Sequence, residues 1–195
     1  MSRISEKKRV TNETSVEIKI NLDGDGAYDV ETPVGFLNHM LELFSKHSGF
    51  DLIVKASGDT DVDFHHLVED VGIVLGEVLI DALGNKRGIA RYGFFILPMD
   101  ETLVQVALDL SGRPYFVIDA DIPMPKVGDF DTELVNEFFQ AVANYGKMNL
   151  HIDLLRGTNS HHIIEGIFKS FARALKVAVE IKGDSLPSTK GTLEV

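Results

Sequence analysis

The segment His65-His66-Leu67-Val68-Glu69 recurs 96 residues later as His161-His162-Ile163-Ile164-Glu165. Two further pairs of similar segments keep the same order along the chain. Glu13–Gly24 resembles Glu101–Gly112 at an offset of 88 residues, and Phe36–Leu41 resembles Leu134–Phe139 at an offset of 98 residues. Similar composition could explain one such match, but three matches in order predict a duplicated half-domain.

Each half of the chain has strand signals and two helix signals. The alternation of apolar with polar residues over 14–22 and 102–110 predicts two strands. Apolar residues at the helical period predict four helices, and short apolar runs predict four more strands. The helices are expected at about 33–47, 65–83, 131–146 and 161–182, and the strands at 52–56, 93–97, 115–120 and 150–154. This pattern predicts an α+β sandwich with a duplicated half-domain.

The duplication sets the expected domain organisation. We expect one domain over residues 1–195, built of two repeats at about 9–92 and about 93–183 and a C-terminal tail at 184–195. The tail is rich in hydroxyl side chains and ends in a glycine loop. Such a tail fits a substrate-binding segment, although many C-termini of this composition are disordered.

Composition and charge exclude several classes of function. The net charge of −11 disfavours binding to nucleic acid and to anionic membranes. No apolar run approaches the length of about 18 residues that a membrane span needs. The chain has no cysteine, so a metal ion would be held by His, Asp or Glu. The absence of a signal peptide and of disulfides predicts a cytoplasmic protein.

The repeated histidine pairs are candidate metal ligands. On a helix, His65 and Glu69 lie one turn apart on the same face, as do His161 and Glu165, so each pair can chelate one divalent ion. A single motif of this kind is more often a surface hydrogen bond. Two copies, each with a second histidine that points about a quarter-turn away, favour metal binding, because a buried imidazole needs a partner.

His39 is a further candidate ligand, and its repeat counterpart is Glu137. The alternative is a histidine that is buried and hydrogen-bonded in the core, but a carboxylate at the equivalent position favours the ligand role. Imidazole and carboxylate donors without sulfur predict a borderline to hard ion such as manganese, iron, zinc or cobalt. His47 and His151 have no such counterpart and are interpreted as structural residues or as residues that support the ligands.

Together, seven segments resemble imidazoleglycerol-phosphate dehydratase over nearly the whole chain. They are Leu37–Met40, His65–Gly72, Pro98–Glu101, Leu108–Pro114, Phe130–Val135, Asn159–His162 and Pro187–Gly191. The resemblance implies two similar halves, each a mostly four-stranded sheet packed against helices. It also implies two Mn²⁺ ions per active site, shared between neighbouring subunits of a cubic homo-oligomer of twenty-four chains.

The resemblance also implies roles for individual residues. The implied metal ligands are His39, His65, His66, Glu69, Glu137, His161, His162 and Glu165. The implied phosphate contacts are Arg91, Arg113, Lys169, Ser188 and Lys190. Two residues depart from the pattern of the family. Several members have a histidine at the position of Glu137, which puts the ligand role of Glu137 in doubt. Many members have a threonine at the position of Leu67, and this difference affects no implied role.

The implied reaction is the dehydration of D-erythro-imidazoleglycerol phosphate to imidazole acetol phosphate in histidine biosynthesis, through a metal-bound imidazolate. Elimination needs a carboxylate that removes a proton, and Glu13 and Glu165 are the candidates. Two alternatives remain at this point. A di-metal hydrolase of a small phosphorylated substrate would use the same ligands, and a non-enzymatic metal-binding assembly protein would need no phosphate contacts.

Overall fold

The computed structural model describes residues 3–193, in which four helices form a layer between two four-stranded sheets. The first half contains β1 (Ile4–Val10), β2 (Thr14–Asn21), β3 (Tyr28–Glu31), α1 (Gly35–Ser48), β4 (Asp51–Gly58) and α2 (His65–Leu83). The second half contains β5 (Tyr92–Met99), β6 (Thr102–Asp109), β7 (Tyr115–Asp119), β8 (Lys126–Val127), β9 (Phe130–Asp131), α3 (Leu134–Tyr145), β10 (Asn149–Arg156) and α4 (Ser160–Val179). The predicted α+β fold is confirmed.

The two large sheets have the same topology. Their strand orders are β1-β2-β4-β3 and β5-β6-β10-β7, and in each the last pair of strands is parallel. Tyr28 pairs with Leu52 in the first sheet, and Phe116 pairs with Leu150 at the equivalent place in the second. The sequence offset between the two halves is therefore 88 residues from β3 to β7 and 98 residues from β4 to β10. The short hairpin β8–β9 lies between them and accounts for the change. The duplicated half-domain is thereby confirmed.

The helices of the two halves cross over to pack on each other. Helix α2 packs on β1 and β2 of its own sheet, and α4 packs on β5 and β6. By contrast, α1 of the first half packs on α4 of the second, and α3 of the second half packs on α2 of the first. This exchange brings side chains from both halves together at the helix ends.

The helix layer is closely packed around buried phenylalanines, among them Phe44, Phe139 and Phe171, whose ring centroids lie 5.3–5.7 Å apart along the cluster.

Two glycines of α2 permit α3 to approach. A Cβ atom on Gly72 would lie 2.7 Å from the carbonyl oxygen of Phe138, and one on Gly76 would lie 2.7 Å from a backbone nitrogen of α3's C-terminal turn. Because backbone atoms cannot move aside cheaply, larger residues at these two positions would push the helices apart.

The four helices start and end within a few residues of their expected bounds, whereas the strands β1 and β3 and the hairpin β8–β9 were not predicted. Strand β1 begins at Ile4, ahead of the expected start of the first repeat at about residue 9. Its inward side chains are charged: Lys7 lies 3.0 Å from Asp81 of α2, and Arg9 lies 2.8 Å from the buried Asp70. An edge strand that packs through ion pairs lacks the apolar alternation by which strands are recognised.

The outer faces of the two sheets differ in polarity. The face of the first sheet carries ion pairs, such as Lys8 with Glu17 and Lys55 with Asp29, beside exposed apolar side chains such as Val10. The face of the second sheet exposes large apolar side chains: Tyr92, Phe94, Ile96, Tyr115 and Val117. Within residues 3–193, no helix combines the length and the apolar character that crossing a bilayer requires.

Candidate metal and substrate site

Both histidine pairs lie in the first turn of a long helix. His161 and His162 begin α4 behind the cap Asn159, whose side-chain oxygen accepts hydrogen bonds from both of their backbone N–H groups. His65 and His66 begin α2, where Asp63 accepts a hydrogen bond from the backbone N–H of His65 at 2.8 Å. The caps fix the direction in which each imidazole leaves its helix.

Three of the predicted ligands meet where α1 crosses α4. The Nε2 atoms of His39 and His161 lie 3.5 Å and 3.1 Å from Oε2 of Glu165. Donor atoms bound side by side at about 2.1 Å to one ion are separated by about 3.0–3.5 Å, so this donor set fits a single divalent cation. His39 belongs to the first half and the other two residues to the second, so the cluster depends on the helix exchange.

Glu165 is the buried member of this cluster, with a side chain only 9% exposed. Burial favours its neutral form, but an ion pair with Lys169 and the contacts with His161 and His39 outweigh burial and lower its pKa. The carboxylate of Glu165 is therefore ionised and contacts Lys169, His161 and His39.

A second cluster lies at the start of α2. Nδ1 of His66 is 3.0 Å from Asp59, at the end of β4, and 3.8 Å from Glu13, which precedes β2. Its hydrogen bond with Asp59 is the main reason that the pKa of His66 is raised. With Nδ1 directed at a carboxylate, Nε2 of His66 is the ring atom left for a metal ion or a substrate.

The repeat-related position on α4 has the same arrangement. Nδ1 of His162 lies 2.8 Å from Oε2 of Glu101, the counterpart of Glu13. The other carboxylate oxygen accepts hydrogen bonds from the backbone N–H groups of Thr158 and Asn159. The bond with His162, followed by that with Asn159, holds the pKa of Glu101 well below its usual range, and the pKa of His162 is raised in return.

The other predicted ligands, His65, Glu69 and Glu137, belong to neither of the two donor groups that the described residues form. Glu137 lies on α3, which packs on α2, just as His39 lies on α1, which packs on α4. The ligand roles of all eight residues stay predictions.

The predicted phosphate contacts fall into two separate groups. Lys169 pairs with Glu165 beside the first cluster. Arg91, with a φ of 72°, forms two hydrogen bonds with Asp109 and a third, at 2.8 Å, with the carbonyl oxygen of Pro187 in the tail that holds Ser188 and Lys190. Among residues 3–193, no hydrogen bond or ion pair links Lys169 to Arg91, Arg113 or the tail.

Two further histidines lie outside the clusters. His47 is half-buried in α1, and burial, followed by the positive charges of Lys169 and Arg173, lowers its pKa. His151 is exposed on the outer face of the second sheet and stacks on Tyr115, with ring centroids 6.1 Å apart.

Sequence reasoning assigned no role to Asp59 or Glu101, which orient the two histidines. For Glu101 a signal existed, because the repeat aligns its Glu-Thr pair with Glu13 and Thr14. For Asp59 there was none, since its repeat counterpart is Thr158, and only the fold shows that the end of β4 meets the start of α2.

Comparisons with known proteins agree with this arrangement. A family model described as imidazoleglycerol-phosphate dehydratase matches residues 32–175. The imidazoleglycerol-phosphate dehydratase of Roseobacter denitrificans is 58% identical over 188 residues, which cover 95% of this chain and 96% of that protein. That of an Exiguobacterium species is 56% identical over 193 residues, covering 98% and 99% of the two chains.

Two crystal structures of such dehydratases match the fold. The Staphylococcus aureus structure has 47% sequence identity and a TM-score of 0.84, covering 91% of this chain and 99% of that one. The Pyrococcus furiosus structure has 35% identity and a TM-score of 0.84, covering 95% and 99%.

Fold and site together define a duplicated α+β enzyme with imidazole and carboxylate clusters at the starts of two repeat-related helices. The chain belongs to the imidazoleglycerol-phosphate dehydratase family.

Proposed function

We propose that this chain removes water from D-erythro-imidazoleglycerol phosphate with the help of two divalent cations, for which Mn²⁺ is the candidate. Its family makes it a hydro-lyase of histidine biosynthesis. The observation that carries the metal proposal is the meeting of His39, His161 and Glu165, with separations that suit one ion.

The chain's own residues would hold the cations and orient the ligating rings. His39, His161 and Glu165 would bind one ion, while Asp59 and Glu101 hold the rings of His66 and His162 through Nδ1. When bound, such ions would supply Lewis acids that keep the imidazole ring of the substrate deprotonated.

Glu13 is the better candidate for proton transfer. Its side chain is 56% exposed, and it lies beside His66 at 3.8 Å without a closer ion-pair partner among the described residues. Its backbone is fixed, because its N–H group donates to Thr11 and its carbonyl oxygen accepts from Asp59. Glu165, by contrast, is buried and occupied by Lys169 and two histidines. A base needs an available carboxylate close to the substrate, which favours Glu13.

Self-association would complete the site. The second sheet presents large apolar side chains on its outer face, among them Phe94, which is 71% exposed. A large exposed apolar face on a protein of this charge is typical of a subunit interface. We propose a homo-oligomer, with twenty-four chains as the expected number, that shares active sites between neighbours and works in the cytoplasm.

A product assay tests the proposal against its alternatives. Metal-free protein is given Mn²⁺ and imidazoleglycerol phosphate, and the products are measured as ketone and as free phosphate. We expect stoichiometric ketone that depends on added metal. Release of phosphate instead would support a di-metal hydrolase, and the absence of both products from fully metal-loaded protein would support a metal-binding assembly protein.

A further inference from the structure

A cleft of about 570 Å³ lies at the C-terminal end of α4, between this helix, the end of α1 and the edge strand β5. Arg173 and Lys176 line it. Arg173 follows His161 by 12 residues, which is about 18 Å along a helix, and Lys169, one turn before Arg173, is paired with Glu165 and does not line the cleft. Its volume falls in the range of small-molecule sites.

The cleft is basic although the chain is acidic. Arg173 and Lys176 are both exposed and form no ion pair with any carboxylate among residues 3–193. The carboxylates nearby are already paired: Glu180 contacts Lys182 at 2.6 Å, and Asp23 contacts Arg3, the third cation of the cleft. The cleft therefore carries local positive charge although the net charge of the whole chain is −11.

The position of Arg173 is fixed. Its guanidinium carbon lies 5.3 Å from the centroid of the Phe95 ring, a cation–π contact that leaves the N–H groups available. Phe50 and Val177 add apolar wall to the same cleft. The positive charge of Arg173 also affects His47, whose pKa is lowered chiefly by burial and further by Lys169 and Arg173.

We propose that this cleft binds a second, small organic phosphate monoester, distinct from the substrate in the active site. The forked donors of Arg173 and the ammonium of Lys176 would hold the phosphate, and the apolar wall would contact the carbon part of the ligand. A purely structural alternative exists for Lys176, whose Nζ lies beside Gly49 at the C-terminal end of α1. Interaction with the helix dipole there would need no ligand.

Equilibrium dialysis of the full-length, Mn²⁺-loaded protein against inorganic phosphate and glycerol phosphate tests the site. We expect two classes of bound phosphate in the wild type. The double variant Arg173→Gln/Lys176→Gln loses one class, with at least about a tenfold fall in affinity. The matched control Lys8→Gln/Lys19→Gln changes the net charge equally on the outer face of the first sheet and keeps both classes.

Turnover separates the cleft from the active site. At saturating substrate, the double variant should keep wild-type turnover. Equal phosphate binding in the double variant and the wild type would overturn the proposal. Loss of both turnover and phosphate binding in the double variant would overturn it too, because the two cations would then bind the substrate. If the double variant does not fold, Lys176→Gln alone is measured, and unchanged phosphate binding with lowered thermal stability would assign Lys176 to the helix end.

Discussion

Nδ1 of His162 lies 2.8 Å from Oε2 of Glu101, and the repeat places His66 in the same relation to a carboxylate. The partner differs between the halves, since Asp59 serves His66 while the residue equivalent to Glu101 is Glu13, which stands 3.8 Å away. Duplication has therefore preserved the orientation of the rings, while the carboxylate of Glu13 is left available for chemistry.

Replacement of Glu101 by Gln should weaken metal binding. The carboxylate accepts the Nδ1 proton of His162, so Nε2 is the ring atom that could bind a metal ion. An amide nitrogen would instead donate to Nδ1, which moves the ring proton to Nε2 and blocks coordination there. We expect the Mn²⁺ affinity to fall about 10- to 100-fold, measured by competition with a chelator. The control Glu17→Gln, on the outer face of β2, should bind metal like the wild type, and unchanged affinity in Glu101→Gln would contradict this role.

The variant Glu13→Gln should fold and bind metal normally but turn over at least about a hundredfold more slowly, because an amide cannot accept the proton. Its effect should fall on kcat, while KM stays close to that of the wild type. Stopped assays for the ketone, with the metal content measured on the same samples, check this. Wild-type turnover of fully metal-loaded Glu13→Gln would exclude Glu13 from proton transfer.

The sequence predicted those parts of the candidate site in which the residue types and their spacing are typical of metal ligands. The repeated histidine pairs and the i, i+4 glutamates were visible, and the contact between His161 and Glu165 follows from that spacing, but the place of His39 beside them was not predicted. The pairing of α1 with α4 was not visible, because apolar periodicity shows that a helix is buried but not against which helix it packs.

Asn149 should affect substrate binding through Arg113. Its side-chain N–H donates to the carbonyl oxygen of Arg113 at 2.6 Å and holds the turn that carries this arginine. If Arg113 contacts the phosphate, Asn149→Ala should raise KM about fivefold with little change in kcat, since about one hydrogen bond of positioning is lost. The repeat-related control is Asp51→Ala, which loosens the turn at 23–27. That turn holds no proposed phosphate contact, so an equal rise of KM in both variants would argue for a general effect on the fold.

Asp51 should contribute stability that depends on pH. Its carboxylate accepts hydrogen bonds from the backbone N–H groups of Ala27 and Asp25 at 3.0 Å, and these bonds, that with Ala27 first, lower its pKa. The folded state therefore favours the ionised form. The stabilisation is complete above the ordinary pKa of 3.8 and is lost as the pH falls through the lower folded pKa.

Urea unfolding measures this contribution. Asp51→Ala should be about 1 kcal/mol less stable than the wild type at pH 7, allowing for solvent screening at this partly exposed site. The difference should shrink as the pH is lowered below 3.8. A difference that does not change with pH would mean that the ionised carboxylate is not what holds the turn.

Phe94→Glu should break the proposed assembly. Phe94 is 71% exposed on the outer face of β5, an edge strand of the second sheet, opposite Ala107 of β6. In an interface, a glutamate there would bury a charge without a partner, which costs several kcal/mol per contact and is multiplied by symmetry. Light scattering after gel filtration should therefore show a much smaller particle, with reduced activity if neighbouring chains complete the site.

The matched control is Ile53→Glu on the outer face of the first sheet, which carries ion pairs, where the side chain is 42% exposed and a glutamate stays solvated. If Ile53→Glu dissociates the particle and Phe94→Glu does not, the first sheet rather than the second forms the interface.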